Sequence, residues 1–263
     1  MSPTPLRLLQ FTDLHLYGDA GGELRGVATL PSLEATLATA RKRQSGCDAV
    51  LLTGDLVQDD PSGYKRVRAL FGESTVPVYC IPGNHDVPHA LESSLGTRPF
   101  QVGGSAVHGE WLIVLLSSYL AGKAGGRLEP KELARLDSLL AAHPSHHALV
   151  CLHHHPVPMA SRWLDTVSLE NPAALFEVLD KHQNVRAMLW GHVHQAWEGT
   201  RNGVRLMCTP STCAQFKPGS DNFAIDRRPP GYRWLNLHAD GRIDSAVEWV
   251  DSVAAAPAQS RAG

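Results

Sequence analysis

The chain has 263 residues, 43% hydrophobic and 19% charged, with 24 Lys and Arg against 26 Asp and Glu and a formal charge of −2. These values exclude wholesale disorder, which goes with low hydrophobicity and high net charge, and they leave no overall field to hold nucleic acid or an anionic membrane. Histidine is the outlier at 14 copies, and imidazole is both the commonest metal ligand and a proton carrier near neutral pH.

Leu6–Phe11 reads as a first strand. Leu30–Gln44 follows as a helix with Leu33, Leu37 and Ala40 on one face, stopping near Gly46. Ala49–Thr53 is a second strand, and Pro61–Phe71 a helix that starts behind Asp60 with Pro61 in its first turn. Val76–Ile81 and Trp111–Ser117 are strands, and Glu129–Ala142 is a helix that aligns Leu133, Leu136 and Leu140. Strand Ala148–Leu152 precedes helix Pro172–His182, for which Asn171 is the expected N-cap. Strands Val185–Trp190, Val204–Cys208 and Tyr232–Leu237 complete the series. Several of these strands are apolar without alternation, as strands covered on both faces are. The β-α-β-α-β order predicts a layered α/β fold with helices packed on sheet faces. No repeat or Gly/Ser/Pro-rich linker divides the chain. One domain over residues 1–250 is therefore expected, with a flexible tail over 251–263.

Cys47, Cys80, Cys151, Cys208 and Cys213 form no C-x-x-C pair and mostly sit in apolar runs, which fits free, buried thiols in a reducing cytoplasm. The first ten residues have no signal-like apolar core. The longest apolar stretch, Trp111 to Leu116, is far short of the ~20 residues that span a bilayer. A soluble, cytoplasmic chain is expected.

Five polar motifs follow apolar strands: Asp13-Leu14-His15, Gly54-Asp55 leading into Gln58-Asp59, Gly83-Asn84-His85-Asp86, His153-His154-His155-Pro156 and Gly191-His192-Val193-His194. Each alone reads as a cap, a turn or a core histidine. Together they place carboxylates and imidazoles at the strand carboxyl ends, where open α/β sheets bind ligands. Asp, Asn and His without thiolate suit iron, manganese, zinc or cobalt, with iron first. One site draws on Asp13, His15, Asp55 and His194, and a second on Asp55, Asn84, His154 and His192, so that Asp55 bridges two divalent ions. Such a pair clamps phosphoesters. Two divalent cations, two carboxylates, a hydroxide and one phosphodiester anion also sum to a neutral site, which is cheaper to desolvate than one with unpaired charge.

This constellation resembles the calcineurin-like metallophosphoesterase superfamily. Leu9–Asp13, Leu152–Pro156, Trp163-Leu164-Asp165, Thr209–Cys213, Gln215–Pro218 and Leu237–Gly241 narrow the resemblance to bacterial class III 3′,5′-cyclic-AMP phosphodiesterases. The resemblance implies a layered β-sandwich flanked by helices and the same two ligand sets. Within the triplet it points to His154, two residues before the proline, while alternation sends His153 and His155 to the opposite face. It implies hydrolysis of cyclic AMP to 5′-AMP by a metal-bridging hydroxide. Substrate is held by His15, Asp55, Asn84, His85 and His194. His85 serves as general acid or phosphate clamp, with Asp86 orienting it. Sibling substrates are 2′,3′-cyclic nucleotides, glycerophosphodiesters and nucleotide pyrophosphates. Phe216, Lys217, Asn222 and the Trp163–Leu169 rim are candidates for holding the base. The expected partner is a cyclic nucleotide rather than nucleic acid or membrane, and a homodimer is compatible with the sequence.

Overall fold

The computed structural model describes residues 4–44 and 46–250, so the expected tail over 251–263 lies outside the described residues. Its strands are β1 (Leu6–Phe11), β2 (Ala49–Leu52), β3 (Val78–Cys80), β4 (Phe100–Val102), β5 (Gly104–His108), β6 (Trp111–Leu115), β7 (His147–Cys151), β8 (Val185–Trp190), β9 (Trp197–Arg201), β10 (Val204–Cys208), β11 (Gly231–Leu237) and β12 (Ile243–Trp249). They build two six-stranded sheets in the orders β12-β11-β1-β2-β3-β4 and β9-β10-β8-β7-β6-β5. Strands β1 to β4 are parallel to one another, as are β6, β7, β8 and β10. Their carboxyl ends can therefore carry ligands in the way the motifs require.

Alternate residues of each strand point to opposite faces, and this divides the core. Leu8, Leu51, Ile113, Leu149 and Leu189 meet between the sheets. Leu9, Val50 and Leu52 instead face helices α1 (Thr29–Arg43), α2 (Tyr64–Phe71) and α3 (Pro88–Leu95), through Leu33, Leu37, Val67 and Leu91. Val114, Val150 and Met188 face α4 (Pro130–Ala142) and α5 (Pro172–Leu179), through Leu136, Leu140 and Leu175. The result is a β-sandwich with helices on both outer faces. Full burial on two faces explains why the inner strands read as unbroken apolar runs.

Within the two large sheets, the four strands the hydrophobic pattern does not predict, β4, β5, β9 and β12, are the four edges. Covered less completely, they need no apolar run; every residue of β12 is only partly buried. Asp60 does cap its helix, its carboxylate accepting from Ser62 N at 3.0 Å. Asn171 does not cap α5. Its Oδ1 accepts from Leu128 N at 3.0 Å and its Nδ2 donates to Leu128 O at 2.9 Å, which ties the α5 entry to the loop before α4. All five cysteines are free thiols. Among the described residues no helix is long and apolar enough to cross a membrane.

Candidate metal centre and active site

The polar motifs sit just past the ends of β1, β2, β3, β7 and β8. Asp13, His15, Asp55, His192 and His194 all adopt left-handed backbone, with φ of 54°, 48°, 51°, 69° and 49°. Each such residue costs about 1–3 kcal/mol and persists only where its surroundings fix it. Here Asp13 N donates to Gly54 O at 3.0 Å, His15 N to Asp55 O at 2.9 Å, and His192 N to Asp13 Oδ1 at 3.0 Å. Gly83 and Gly191 permit the close approach, since a methyl group on Gly83 would strike Asp55 and one on Gly191 would strike Thr12 and Asp13.

Hydrogen bonds fix the imidazole tautomers of the first group. His194 Nδ1 lies 2.7 Å from Ala214 O, which can only accept, so the proton is on Nδ1. Gln58 Nε2 donates to the Asp59 carboxylate at 2.8 Å, which turns Gln58 Oε1 toward His15 Nδ1 at 2.7 Å and places the His15 proton there as well. With a proton on each Nδ1, the two rings turn their Nε2 atoms toward each other at 3.1 Å. Asp13 Oδ1 is 3.4 Å from His194 Nε2, and Asp55 Oδ2 is 3.9 Å from His15 Nε2. Burial lowers His15 to a pKa of about 4 against the pull of Asp55, so near neutral pH its Nε2 offers a lone pair. Buried carboxylates and imidazole lone pairs converging in this way fit a divalent cation.

In the second group His153, His154 and His192 bring ring nitrogens within 4.8 Å of one another, and His153 is the one that faces Asp55 and Asn84. Its Nδ1 donates to Thr53 O at 2.8 Å, and its Nε2 stands 3.4 Å from Asp55 Oδ2 and 3.3 Å from Asn84 Oδ1. His154 has both nitrogens engaged elsewhere: Nε2 faces Ala124 O at 3.2 Å, and Nδ1 pairs with Ser118 Oγ at 2.8 Å. His192 commits Nε2 to Val167 O at 3.0 Å, which leaves Nδ1 bare. His155 stacks on His192 with ring centroids 5.6 Å apart. The alternation argument fails because the chain has left β7 at Cys151 and no longer follows strand geometry. His153 lies two residues past its strand, as Asp13 and His192 do past theirs.

The electrostatics also call for positive charge. Burial pushes the Asp55 carboxyl up, but His153, His15 and His85 outweigh it and hold the carboxylate well below its usual range. His194 and His153 likewise hold Asp13 down against burial. Burial lowers His153, yet Asp55 and Asp13 raise it to about 9, so a proton there supplies the charge that the paired carboxylates require.

Asn84 and His85 lie at this cluster, but Asp86 does not orient His85. Asp86 is buried and turned the other way, accepting from Gly83 N at 2.8 Å, Leu56 N at 3.2 Å and Tyr64 Oη at 2.9 Å. It locks the turn that presents Asn84. His85 is oriented instead by Gln58 and Asp59, with its Nδ1 2.9 Å from Gln58 Nε2 and 3.0 Å from Asp59 Oδ2. Nε2 is left to face the cavity that His85 lines.

That cavity, about 230 Å³, is floored by His15, Asp55, Asn84, His85, His192 and His194 and walled by Leu24, Arg25, Trp163, Phe216 and Phe223. Trp163 and Phe216 belong to the expected rim. Lys217 and Asn222 are exposed and lie outside the lining. Arg25 and Phe223 carry no motif signal and reach the site only through tertiary folding.

The family model for calcineurin-like phosphoesterase matches residues 6–196. The chain is 39% identical over 248 residues to the 3′,5′-cyclic adenosine monophosphate phosphodiesterase CpdA of Pseudomonas aeruginosa, covering 94% of this chain and 90% of that protein. It is 41% identical over 244 residues to CpdA of Escherichia coli K12, covering 92% and 89%. In fold it is similar to a dimetal phosphatase from Danio rerio, with a TM-score of 0.62 at 17% identity over 95% of this chain and 100% of that one. With a family match that spans the strand ends bearing the motifs, and relatives matched nearly end to end, the chain belongs to the calcineurin-like phosphoesterase family.

Proposed function

We propose that the protein hydrolyses 3′,5′-cyclic AMP to 5′-AMP at a dinuclear centre. The observation that carries this reading is Asp55, one carboxylate shared by two converging groups of buried donors, in a chain about 40% identical to CpdA enzymes over more than nine-tenths of its length. Asp13, His15, Asp55 and His194 would hold one ion, and Asp55, Asn84, His153 and His192 the other. Iron is the leading occupant, and manganese, zinc and cobalt suit the same donors. When bound, such a pair supplies Lewis acidity and an activated water.

The remaining work falls to the protein. Asn84 and the ring of His85 face the cavity where the phosphodiester sits, and they orient its free oxygens. Asp59, accepting from His85 Nδ1 at 3.0 Å, holds the ring so that Nε2 faces the cavity. From there it donates to the departing O3′ as the bond to phosphorus breaks, and it stabilises the charge that builds on that oxygen. Gln58 couples the two halves by accepting from His15 Nδ1 and donating to Asp59, the carboxylate that holds His85.

The test is turnover of cyclic AMP, cyclic GMP, 2′,3′-cyclic AMP and a glycerophosphodiester by one metal-analysed preparation. Preferred conversion of 3′,5′-cyclic AMP to 5′-AMP is expected. A fully loaded preparation that leaves it intact while cleaving a sibling diester overturns the reading.

A further inference from the structure

Above the metal-ligand cluster, three aromatic rings from two separate segments make one wall. Trp163 comes from the short helix Arg162–Asp165. Phe216 and Phe223 come from a hairpin in which Gln215–Phe216 pairs with Ile225–Asp226. The ring centroids are 5.2 Å apart for Trp163–Phe216, 5.2 Å for Trp163–Phe223 and 5.5 Å for Phe216–Phe223, all near-perpendicular. The two segments are clipped together by the Arg162–Asp221 ion pair at 3.6 Å. From the other side of the cavity, Arg25 places its guanidinium 4.6 Å from the Phe223 centroid. Arg25 sits in the tight turn of the Glu23–Leu24 and Val27–Ala28 ribbon, with φ of 53° followed by Gly26 at 80°, the left-handed pair of a type I′ hairpin.

Phe216 already has a task, since its ring stacks on His194 at 4.1 Å and 10° and holds that imidazole in place. Phe223 packs against Trp163, Phe216 and Arg25 without being buried by them. It is one of the few large hydrophobics among the described residues that stay exposed, at 43%, and it is the one that lines the cavity. An apolar ring held at the rim of a polar site, by a cation on one side and aromatic neighbours on the other, is a surface for a flat ligand.

We infer that Phe223, backed by Trp163 and latched by Arg25, is the platform on which the purine base of the nucleotide stacks while its phosphate lies on the cluster below. This rests on the phosphodiesterase reading of the site and adds what holds the base. Base–aromatic stacking is worth ~1–3 kcal/mol, about 5- to 150-fold in affinity, and it is tolerant of base identity because every base has a π-face. Selection between adenine and guanine must then come from elsewhere on the rim.

The experiment compares binding of 5′-AMP and of ribose 5-phosphate, which lacks the base, to the metal-loaded full chain by calorimetry. Phe223→Ala should weaken 5′-AMP about 10-fold and ribose 5-phosphate less than 2-fold, while Phe223→Tyr keeps the 5′-AMP affinity. Equal losses for the two ligands, or no loss for 5′-AMP, overturn the inference. Because binding is read without turnover, failure of the wild type to cleave cyclic AMP strikes the catalytic reading and leaves this comparison intact.

Discussion

The backbone N–H of His85 donates to Asp55 Oδ1 at 2.9 Å. The residue whose ring lines the cavity therefore also anchors, through its main chain, the carboxylate shared by both donor groups. The two tasks are separable, because any residue at this position keeps the N–H. His85→Ala should retain both ions by elemental analysis and lose 10²–10⁴-fold in kcat, the usual worth of a positioned proton donor. Loss of metal in step with activity would instead place the ring of His85 in the ligand set.

The assignment of His153 in place of His154 is open to a direct comparison. His153→Ala removes a nitrogen that faces Asp55 and Asn84, so it should bind one ion fewer and lose more than 100-fold in activity. His154→Gln should keep full metal content, because His154 bonds only Ser118 and Ala124. Its cost should appear as a lower melting temperature. The reverse pattern restores His154, the member of the triplet that the resemblance implied.

The facing Nε2 atoms of His15 and His194, 3.1 Å apart and beside Asp13 and Asp55, predict that metal is a structural element as well as a reactant. A ligand that binds only the folded state adds ~2.7 kcal/mol when present at 100 times its Kd. For a chain of this size that is roughly 5–10 °C in Tm. Chelation should lower Tm by about this much, and manganese or zinc should restore it. In His194→Ala one of the two opposed nitrogens is gone, so the chelator-induced drop should be smaller. An equal drop in that variant would show that the first group holds no ion.

The inner strands and the seams of the site were legible in the sequence because full burial and strand-end turns leave strong marks. Leu6–Phe11, Val185–Trp190 and Val204–Cys208 are reproduced residue for residue. The edge strands were not legible, since half-covered positions such as those of Ile243–Trp249 accept almost any residue. Asp13, His15, Asp55, Asn84, His192 and His194 could be picked out by type and by position after strands, and the structure brings them together. Choosing among three consecutive histidines needed the backbone direction beyond Cys151. The partners of His85 needed the turn at Asp59, whose own φ is 52°. Phe223 and Arg25 carry no pattern at all, and only the two hairpins that fold over the cavity reveal them.

The structure beneath the site makes a last prediction. Arg233 on β11, its side chain 1% exposed, donates from Nη1 to Glu198 Oε1 at 2.6 Å, from Nη2 to Cys208 O at 3.0 Å and from Nε to Thr209 Oγ1 at 3.1 Å. Thr209 in turn bonds Gln10 on β1. One guanidinium thus stitches the two sheets together behind the strand ends that carry the ligands. Arg233→Ala strips the Cys208 carbonyl and the Thr209 hydroxyl of a buried donor while Glu198 keeps Arg205, and should cost about 1–3 kcal/mol by urea denaturation, whereas Arg233→Met, which refills the volume, should cost less. Burial raises the Glu198 carboxyl, but Arg205 and Arg233 outweigh it and hold it below its ordinary value. A depressed carboxyl stabilises the fold above its unfolded pKa of about 4.3, and that contribution is lost as pH falls through the lower folded value. The urea midpoint of Glu198→Gln should therefore be below that of the wild type at pH 7, and the gap should narrow as the pH is taken below about 4. A gap that stays constant with pH would mean that Glu198 contributes through packing and not through charge.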